Sequence, residues 1–254
     1  MTVAHPAWDD PAVDWTGFRM TVVRSTWNYH HRRPEFLRWI RTADRVGDLW
    51  NRAAVLRWNT DKRYLRDLAE AGVPVVPTVW SPRGRPVDLG SLMARRRWST
   101  VVVKPAISAA GERTFRVSPE EVAEGQRKLD AITRTGVAMT QPYLRRVARG
   151  GERSLVFLDG EYSHTVRRVP LFDGPRTPGP ETLSPASSDM RRVAAVALRA
   201  CPPELLYARV DLVVNEDRIW RVLEIELTEP SLFFVPCPRA ATTLAAAIRR
   251  RLRR

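Results

Sequence analysis

Near the C-terminus two alternating stretches, Leu205–Val214 and Arg218–Leu227, flank a polar turn at Glu216-Asp217. Apolar and polar residues alternating with a period of two read as a half-buried antiparallel strand pair, and no other feature constrains the fold as tightly. Within it Glu224 and Glu226 share one face, while Leu223, Ile225 and Leu227 take the other. When the strands pair through the turn, Asp211 lies across from the acidic face, with Arg209 on the same side. Three carboxylates facing one another among apolar neighbours repel unless a hard cation neutralises them. Mg²⁺, held jointly by carboxylates and nucleotide phosphates, suits such a set. The plainer alternative is a solvent-facing strand pair with ordinary surface acids.

The chain as a whole reads as α/β first and α+β later. A strand at Met20–Arg24 precedes a helix from Pro34 to Arg45, with Pro34 suited to a first helical position. A second helix starts at Asn59 or Thr60, either able to cap it, and stops at Gly72. Val73–Trp80 is extended, and Leu89–Arg96 is a short helix. Thr100–Val103 is a buried strand that delivers Lys104 at its end; the small-residue loop Ser108–Gly111 and a strand at Arg113–Val117 follow. Ser118, Pro119 and Glu121 form a capping box that opens a helix reaching Arg134. Val137–Gln141 is a further strand, ending in Gln141-Pro142-Tyr143-Leu144. Strands Arg153–Leu158 and Glu161–Arg168 flank Asp159-Gly160, a strong two-residue hairpin turn. Phe172–Pro185, rich in Pro and Gly, reads as a mobile loop without regular structure and as a candidate lid. Helices at Ser188–Ala200 and Pro238–Leu252 complete the set.

No stretch approaches the roughly 20 continuous apolar residues of a membrane span. The N-terminus lacks the order of a secretory signal, and Cys201 and Cys237 are too few for a disulfide framework. A cytoplasmic protein with two free thiols is expected. The net charge of +14 suits either a polyanion binder or an Arg-rich solvated surface. The arginines are dispersed and only Arg249–Arg254 is dense, which favours the surface and excludes nucleic acid as the expected partner. Of 42 cationic residues only Lys62, Lys104 and Lys128 are lysine. In a chain that otherwise writes Arg, a lysine marks a position preferring a compact point charge to a planar fork. Lys128, in a polar helix, reads as solvated.

Lys104 stands immediately before a loop whose backbone N–H groups can cradle phosphates, with Thr114 able to add a hydroxyl. The loop is not a Walker A motif. Arg167 and Arg168 end the second hairpin strand and read first as solvated. His5, His30, His31 and His164 show no triad or zinc spacing, and none is assigned to a metal.

Taken in order, these pieces resemble the ATP-grasp superfamily of glutathione-synthetase type. The phrases VRSTWNYH (Val23–His30), RWNTDKRYL (Arg57–Leu65), VKP (Val103–Pro105), GERSLVF (Gly151–Phe157), YARVD (Tyr207–Asp211) and EIELTEPSLF (Glu224–Phe233) are similar to those of D-cycloserine synthetase relatives. The likeness covers nearly the whole chain from about Trp8. It implies an ATP-grasp fold of mixed α/β and α+β class, with an N-terminal α/β domain short by a first strand and helix. Its implied divisions are residues 1–58 for that domain, 59–144 for a first lobe with phosphate loop and hinge, and 145–254 for a C-terminal lobe with the metal site. Gly111 is the single glycine of the loop, which makes it stiffer than its relatives, and Glu226 stands at the usual Asn position.

The resemblance further implies ATP and Mg²⁺ as cofactors and an acyl-phosphate ligase, intermolecular or ring-closing, that joins a small-molecule carboxylate to an amine or thiol and releases ADP and phosphate. Natural-product biosynthesis is the implied setting, and a homodimer the implied assembly. Lys62 and Lys104 would contact phosphates, helped by Ser108, Gly111 and Thr114. Gln141, Tyr143 and Leu144 would form the hinge, with the backbone of the last two reading adenine, and Glu152 would orient the ribose side or Lys104. Asp211, Glu224 and Glu226 would hold Mg²⁺, Arg209 and Arg167 would offset developing negative charge, and Arg24, Ser25, Glu229 and Ser231 would hold the acceptor. The alternative is a catalytically degenerate nucleotide-binding or regulatory module.

Overall fold

The computed structural model of the chain describes residues 2–169 and 181–253. At the N-terminus, β1 (Met20–Val22) and β2 (Asp48–Trp50) pair in parallel, joined by the crossover helix α1 (Arg33–Val46). This helix carries Pro34 in its first turn and stops at Gly47, close to the predicted bounds. Its Phe36, Trp39, Ile40 and Ala43 form an i, i+3, i+4, i+7 stripe buried with Trp8, Val23 and Tyr29.

A four-stranded antiparallel sheet follows, ordered β3 (Val79–Ser81), β6 (Ala138–Pro142), β4 (Val101–Pro105), β5 (Phe115–Val117). Helices α4 (Leu89–Arg96) and α5 (Val122–Thr133) bury Leu89, Leu92, Leu129 and Ile132 against Val101, Val103 and Val117. The capping box of Ser118 and Glu121 is present, opening a short 3-10 turn that leads into α5.

The third unit is a five-stranded antiparallel sheet, ordered β11 (Trp220–Glu226), β10 (Tyr207–Val214), β7 (Glu152–Leu158), β8 (Glu161–Arg168), β9 (Thr182–Leu183). Asp159 and Gly160, at φ of 56° and 85°, make the β7–β8 turn in the left-handed region that Asp-Gly favours. One face buries Leu155, Phe157, Ala208, Val210 and Leu212 beneath α7 (Ser188–Arg199) and α3 (Tyr64–Glu70). The other buries Val156, Leu158, Val166 and Tyr207 beneath α8 (Pro238–Leu252). Arg209, Asp211, Glu152, Ser154 and Arg168 have the parity of this second face, and they line it where α8 no longer covers the strands.

Three side chains and one short segment join the units. Asn51 donates to the Tyr207 and Leu227 carbonyls at 2.9 and 2.7 Å and accepts from Leu206 N–H at 2.7 Å. Asn59 donates to Ile225 O at 2.7 Å and accepts from Leu227 N–H at 2.7 Å; the Tyr64 hydroxyl donates to Ile225 O and accepts from its N–H, both at 2.9 Å. Farther along, Val222 exchanges hydrogen bonds with Pro74 and Val76.

These contacts correct the sequence reading. The helix expected from Asn59 or Thr60 begins only at Tyr64, because Asn59 closes α2 (Ala53–Asn59) and spends its amide on β11 instead of capping. Helices α2 and α6 (Arg145–Gly150) and strand β2 were not expected. Of the loop expected at Phe172–Pro185, residues 172–180 lie outside the described residues; Thr182–Leu183 is a regular edge strand paired with Val166 and Arg167. The C-terminal basic run is partly built into the fold: Arg250 and Arg251 bind Asp159, and Arg251 lies 4.2 Å over the Trp50 ring. Both cysteines are free and buried.

Candidate active site

The register of β10 with β11 places Arg209 opposite Glu226 and Asp211 opposite Glu224, with a bulge just after Asp211. The expected facing of these groups therefore holds. Asp211, 2 % exposed, accepts from Arg209 Nε and Nη2 at 2.9 and 2.8 Å and from Arg168 Nη2 at 2.8 Å. Arg209 also binds Glu226, while Arg168 reaches Glu152 and Ser154 at 2.9 Å each. Gly151 makes this approach possible: at φ 72° its added Cβ would stand 2.4 Å from the Arg168 carbonyl.

Burial opposes ionisation of Asp211, but Arg168 and Arg209 hold its carboxyl below the usual range. Burial likewise works against the Arg209 charge, and Asp211 and Glu226 more than offset it. Glu226 is pushed up to about 7 by burial, and its carboxylate neighbours Asp211 and Glu224 add to this against Arg209. Burial also raises Glu152.

The repulsion expected among the three carboxylates is thus relieved in this state by Arg168, Arg209 and Lys62, whose Nζ lies 3.1 Å from Glu224. Their oxygens also do not converge on one point. Among the described residues, only one set of three metal-capable side chains has its ligand atoms within 4.8 Å of one another, and it lies elsewhere.

Two lysines approach this face from different elements. Lys62, in the link between α2 and α3, donates its N–H to Ala106 O at 2.8 Å and its Nζ to Ser108 O at 2.6 Å. Lys104 ends β4, 8 % exposed; burial lowers its pKa, Glu224 opposes that shift, and Lys62 adds to it. Its ammonium has no hydrogen-bond or ion-pair partner among the described residues. A desolvated, unpaired cation is an anion-binding group in waiting. Lys128, by contrast, lies 3.7 Å from Glu124 on a half-exposed helical face.

The loop after β4 turns through Ala110, Gly111 and Arg113, all at positive φ, with Ser108 buried and Gly111 exposed. Thr114 is half-buried, its hydroxyl 3.5 Å from Glu112 O. Gln141 is buried and donates to Thr78 Oγ1 at 2.9 Å, which anchors the hinge strand. The Tyr143 N–H donates to Thr100 O at 2.9 Å, and Leu144 leads directly into α6.

The segment after β11 meets the N-terminal layer. Arg24 donates to Pro230 O at 2.8 Å and lies 5.4 Å over the Tyr207 ring; Trp27 Nε1 donates to Glu229 O at 3.3 Å. Ser25 is exposed at φ 54°, and the Ser231 carbonyl lies 3.4 Å from Arg209 Nη1. Glu229 is buried, which with nearby Glu226 raises its pKa well above the usual carboxylate range. Tyr29 is buried beside the same acids and its phenol is raised.

One expected member does not join. Arg167 is exposed and donates to Gly150 O at 3.0 Å, while its neighbour Arg168 enters the cluster. Alternation along β8 allows only one of the two on this face. The parity shared by Arg168 and buried Val166 is the sequence signal that separates them. Arg168, Tyr29 and Trp27 are the site residues not singled out from sequence.

The family model described as D-cycloserine synthetase DcsG, N-terminal domain, matches residues 1–51. The chain is 34% identical to the cycloserine biosynthesis protein DcsG of Streptomyces lavendulae, over 97% of this chain and 87% of that protein. The crystal structure of D-cycloserine synthetase DcsG superposes with a TM-score of 0.86 at 33% identity, covering 96% of this chain and 88% of that one. The ATP-grasp ligase PsnB, in complex with minimal precursor, Mg and ADP, has a TM-score of 0.61 at 16% identity, covering 90% of this chain and 77% of that one; this likeness concerns the fold.

Proposed function

The chain belongs to the D-cycloserine synthetase family of ATP-grasp ligases, and from that premise we propose that it uses Mg·ATP to convert a carboxylate to an acyl phosphate and joins it to an amine or thiol, releasing ADP and phosphate. The observation that carries this reading most directly is Lys104, a buried ammonium without a partner among the described residues, set beside Lys62 and the carboxylate face. A polyphosphate supplies the anion that Lys104 lacks and a stronger one for Lys62 than Glu224 alone.

Lys62 and Lys104 bind the transferring end of ATP, with Ser108, Gly111 and Thr114 over it. Leu144 offers backbone to adenine, and Glu152 orients Arg168 and the Lys104 side. Asp211, Glu224 and Glu226 are hard oxygen donors that fit Mg²⁺ once Lys62 and Arg209 turn toward substrate; bound there, the ion would screen negative charge on the phosphates. The substrate carboxylate attacks the γ-phosphorus, the bond to the ADP oxygen breaks, and the nucleophile then displaces phosphate through a tetrahedral state. Arg209 and Arg168 offset the charge that develops in that state. Glu229, whose pKa burial and nearby Glu226 raise, faces the acceptor beside Arg24, Ser25, Trp27 and Ser231. The setting is cytoplasmic small-molecule or natural-product biosynthesis by a homodimer.

Incubation with Mg·ATP, an amino-acid panel and hydroxylamine should give hydroxamates together with ADP and phosphate. AMP and pyrophosphate as the products would refute the acyl-phosphate route. In the same assays Lys104→Ala should weaken ATP binding by about tenfold or more, or about 1.4 kcal/mol, whereas Lys128→Ala leaves it unchanged. Equal, small effects in calorimetry would remove Lys104 from the phosphate site.

A further inference from the structure

We propose that His30, His31 and Glu112 form a site for one divalent transition-metal ion, Zn²⁺ being the best fit, apart from the carboxylate face of β10 and β11. The two histidines lie in a 3-10 turn, Tyr29–His31, of the N-terminal layer, and Glu112 lies in the loop that follows β4. Separated by some eighty positions in sequence, the three side chains meet in space. His30 Nε2 stands 2.8 Å and His31 Nε2 3.3 Å from the same oxygen, Glu112 Oε2, and all three ligand atoms lie within 4.8 Å of one another.

The spacing matches what a tetrahedral ion requires. Zinc bonds of about 2.0–2.2 Å to nitrogen and oxygen put neighbouring ligand atoms roughly 3.3–3.5 Å apart, and the two histidine–carboxylate distances lie within tenths of an ångström of that spacing. The ring that contributes most to the placement is already fixed. The His30 side chain is 9 % exposed, edge-on to Tyr29 and 3.9 Å between centroids from His31. Its Nδ1 is buried and has no hydrogen-bond partner among the described residues, so the polar contacts of this ring run through Nε2 toward Glu112.

His31 and Glu112 are 58 % and 46 % exposed, which leaves an open side for ion entry and for a water as fourth ligand. The donor set separates this site from the nucleotide-associated one. Two imidazole nitrogens and one carboxylate suit Zn²⁺, Co²⁺ or Ni²⁺, whereas Mg²⁺ prefers oxygen throughout. An ion bound here would tie the loop that carries Ser108 and Gly111 to the N-terminal layer and so hold it in one position over the lysines.

The test uses the full, untagged chain, stripped with chelator and titrated with Co²⁺ in excess Mg²⁺, which fills hard oxygen sites. One equivalent should bind with the visible absorption bands of low-coordinate cobalt, and Zn²⁺ should displace it. His31→Ala and Glu112→Gln, both at exposed positions, should weaken binding by more than the 10–100-fold typical of losing an outer-shell partner, with unchanged circular dichroism. Absence of bound cobalt, or equal affinity in the native chain and both variants, would overturn the site.

Discussion

Asp211→Asn is expected to lower ligase turnover by at least about a hundredfold, the scale of losing one electrostatic stabiliser of a transition state, while leaving circular dichroism unchanged. Asp211 is the hub of the charged face, almost fully buried and held by both Arg168 and Arg209. An amide keeps the shape and one acceptor but removes the charge that both guanidiniums and a divalent ion would share. The orientation of Arg209, and through it of Glu226, then loses its reference. Glu224→Gln is the companion variant, because its side chain is a quarter exposed and meets Lys62 rather than the buried pair, so folding is insulated from the change. Wild-type turnover in both variants across a Mg²⁺ titration would exclude these carboxylates from the reaction.

The largest stability effect is expected at Arg209. Its replacement by Met should cost about 3–5 kcal/mol in urea-induced unfolding, the range for breaking a buried pair by removing one partner. Asp211 and, diagonally across the strand pair, Glu226 would then lose their shared partner, with only Arg168 near the first, and burial already works against the charge of the second. Arg167→Met is the control. That side chain is exposed on the other face of β8 and holds the Gly150 carbonyl rather than a buried acid, so its loss should cost about 1 kcal/mol or less, the scale of a hydrogen bond. Similar midpoints for the two variants would show that the ion-pair network contributes little to folding.

The strand pair that carries Asp211, Glu224 and Glu226 was legible because a period of two is local: parity sorts the acids from Ile225 and Leu227, but the bulge beside Asp211 breaks it at Leu223, which packs with Val213 while Val222 joins Ile225 in the core. The Asp159-Gly160 turn and the Ser118 capping box were legible for the same reason, each being a short-range rule with few competitors. Asn59 shows where such rules stop. Its composition suits a helix cap, but the backbone of β11, more than 160 positions away, competes for the same amide and wins. Arg167 and Arg168 differ in sequence only by parity with Val166, and the pairing of β8 with β7, including its shift near Val156, fixes which of them turns inward. The Tyr143 N–H pairs with Thr100 O, a partner more than forty positions back that only the packing of the strands brings beside it. His30 and His31 carry no metal spacing by themselves, and their third member arrives only through the fold.

The side chains along the outer edge of β11 have a consequence for what this sheet can do. An edge strand ordinarily exposes a ladder of free donors and acceptors, which invites another strand and tolerates slippage. Here Asn59, Tyr64 and the segment Pro74–Val76 occupy that ladder at Val222, Ile225 and Leu227. No peptide or second copy can extend the sheet on this side without first displacing buried hydrogen bonds. Register is locked by the same contacts. A slip of one residue would turn Glu224 and Glu226 into the apolar interior and bring Ile225 and Leu227 to the charged face, and the bonds to Asn59 and Tyr64 would all be lost together.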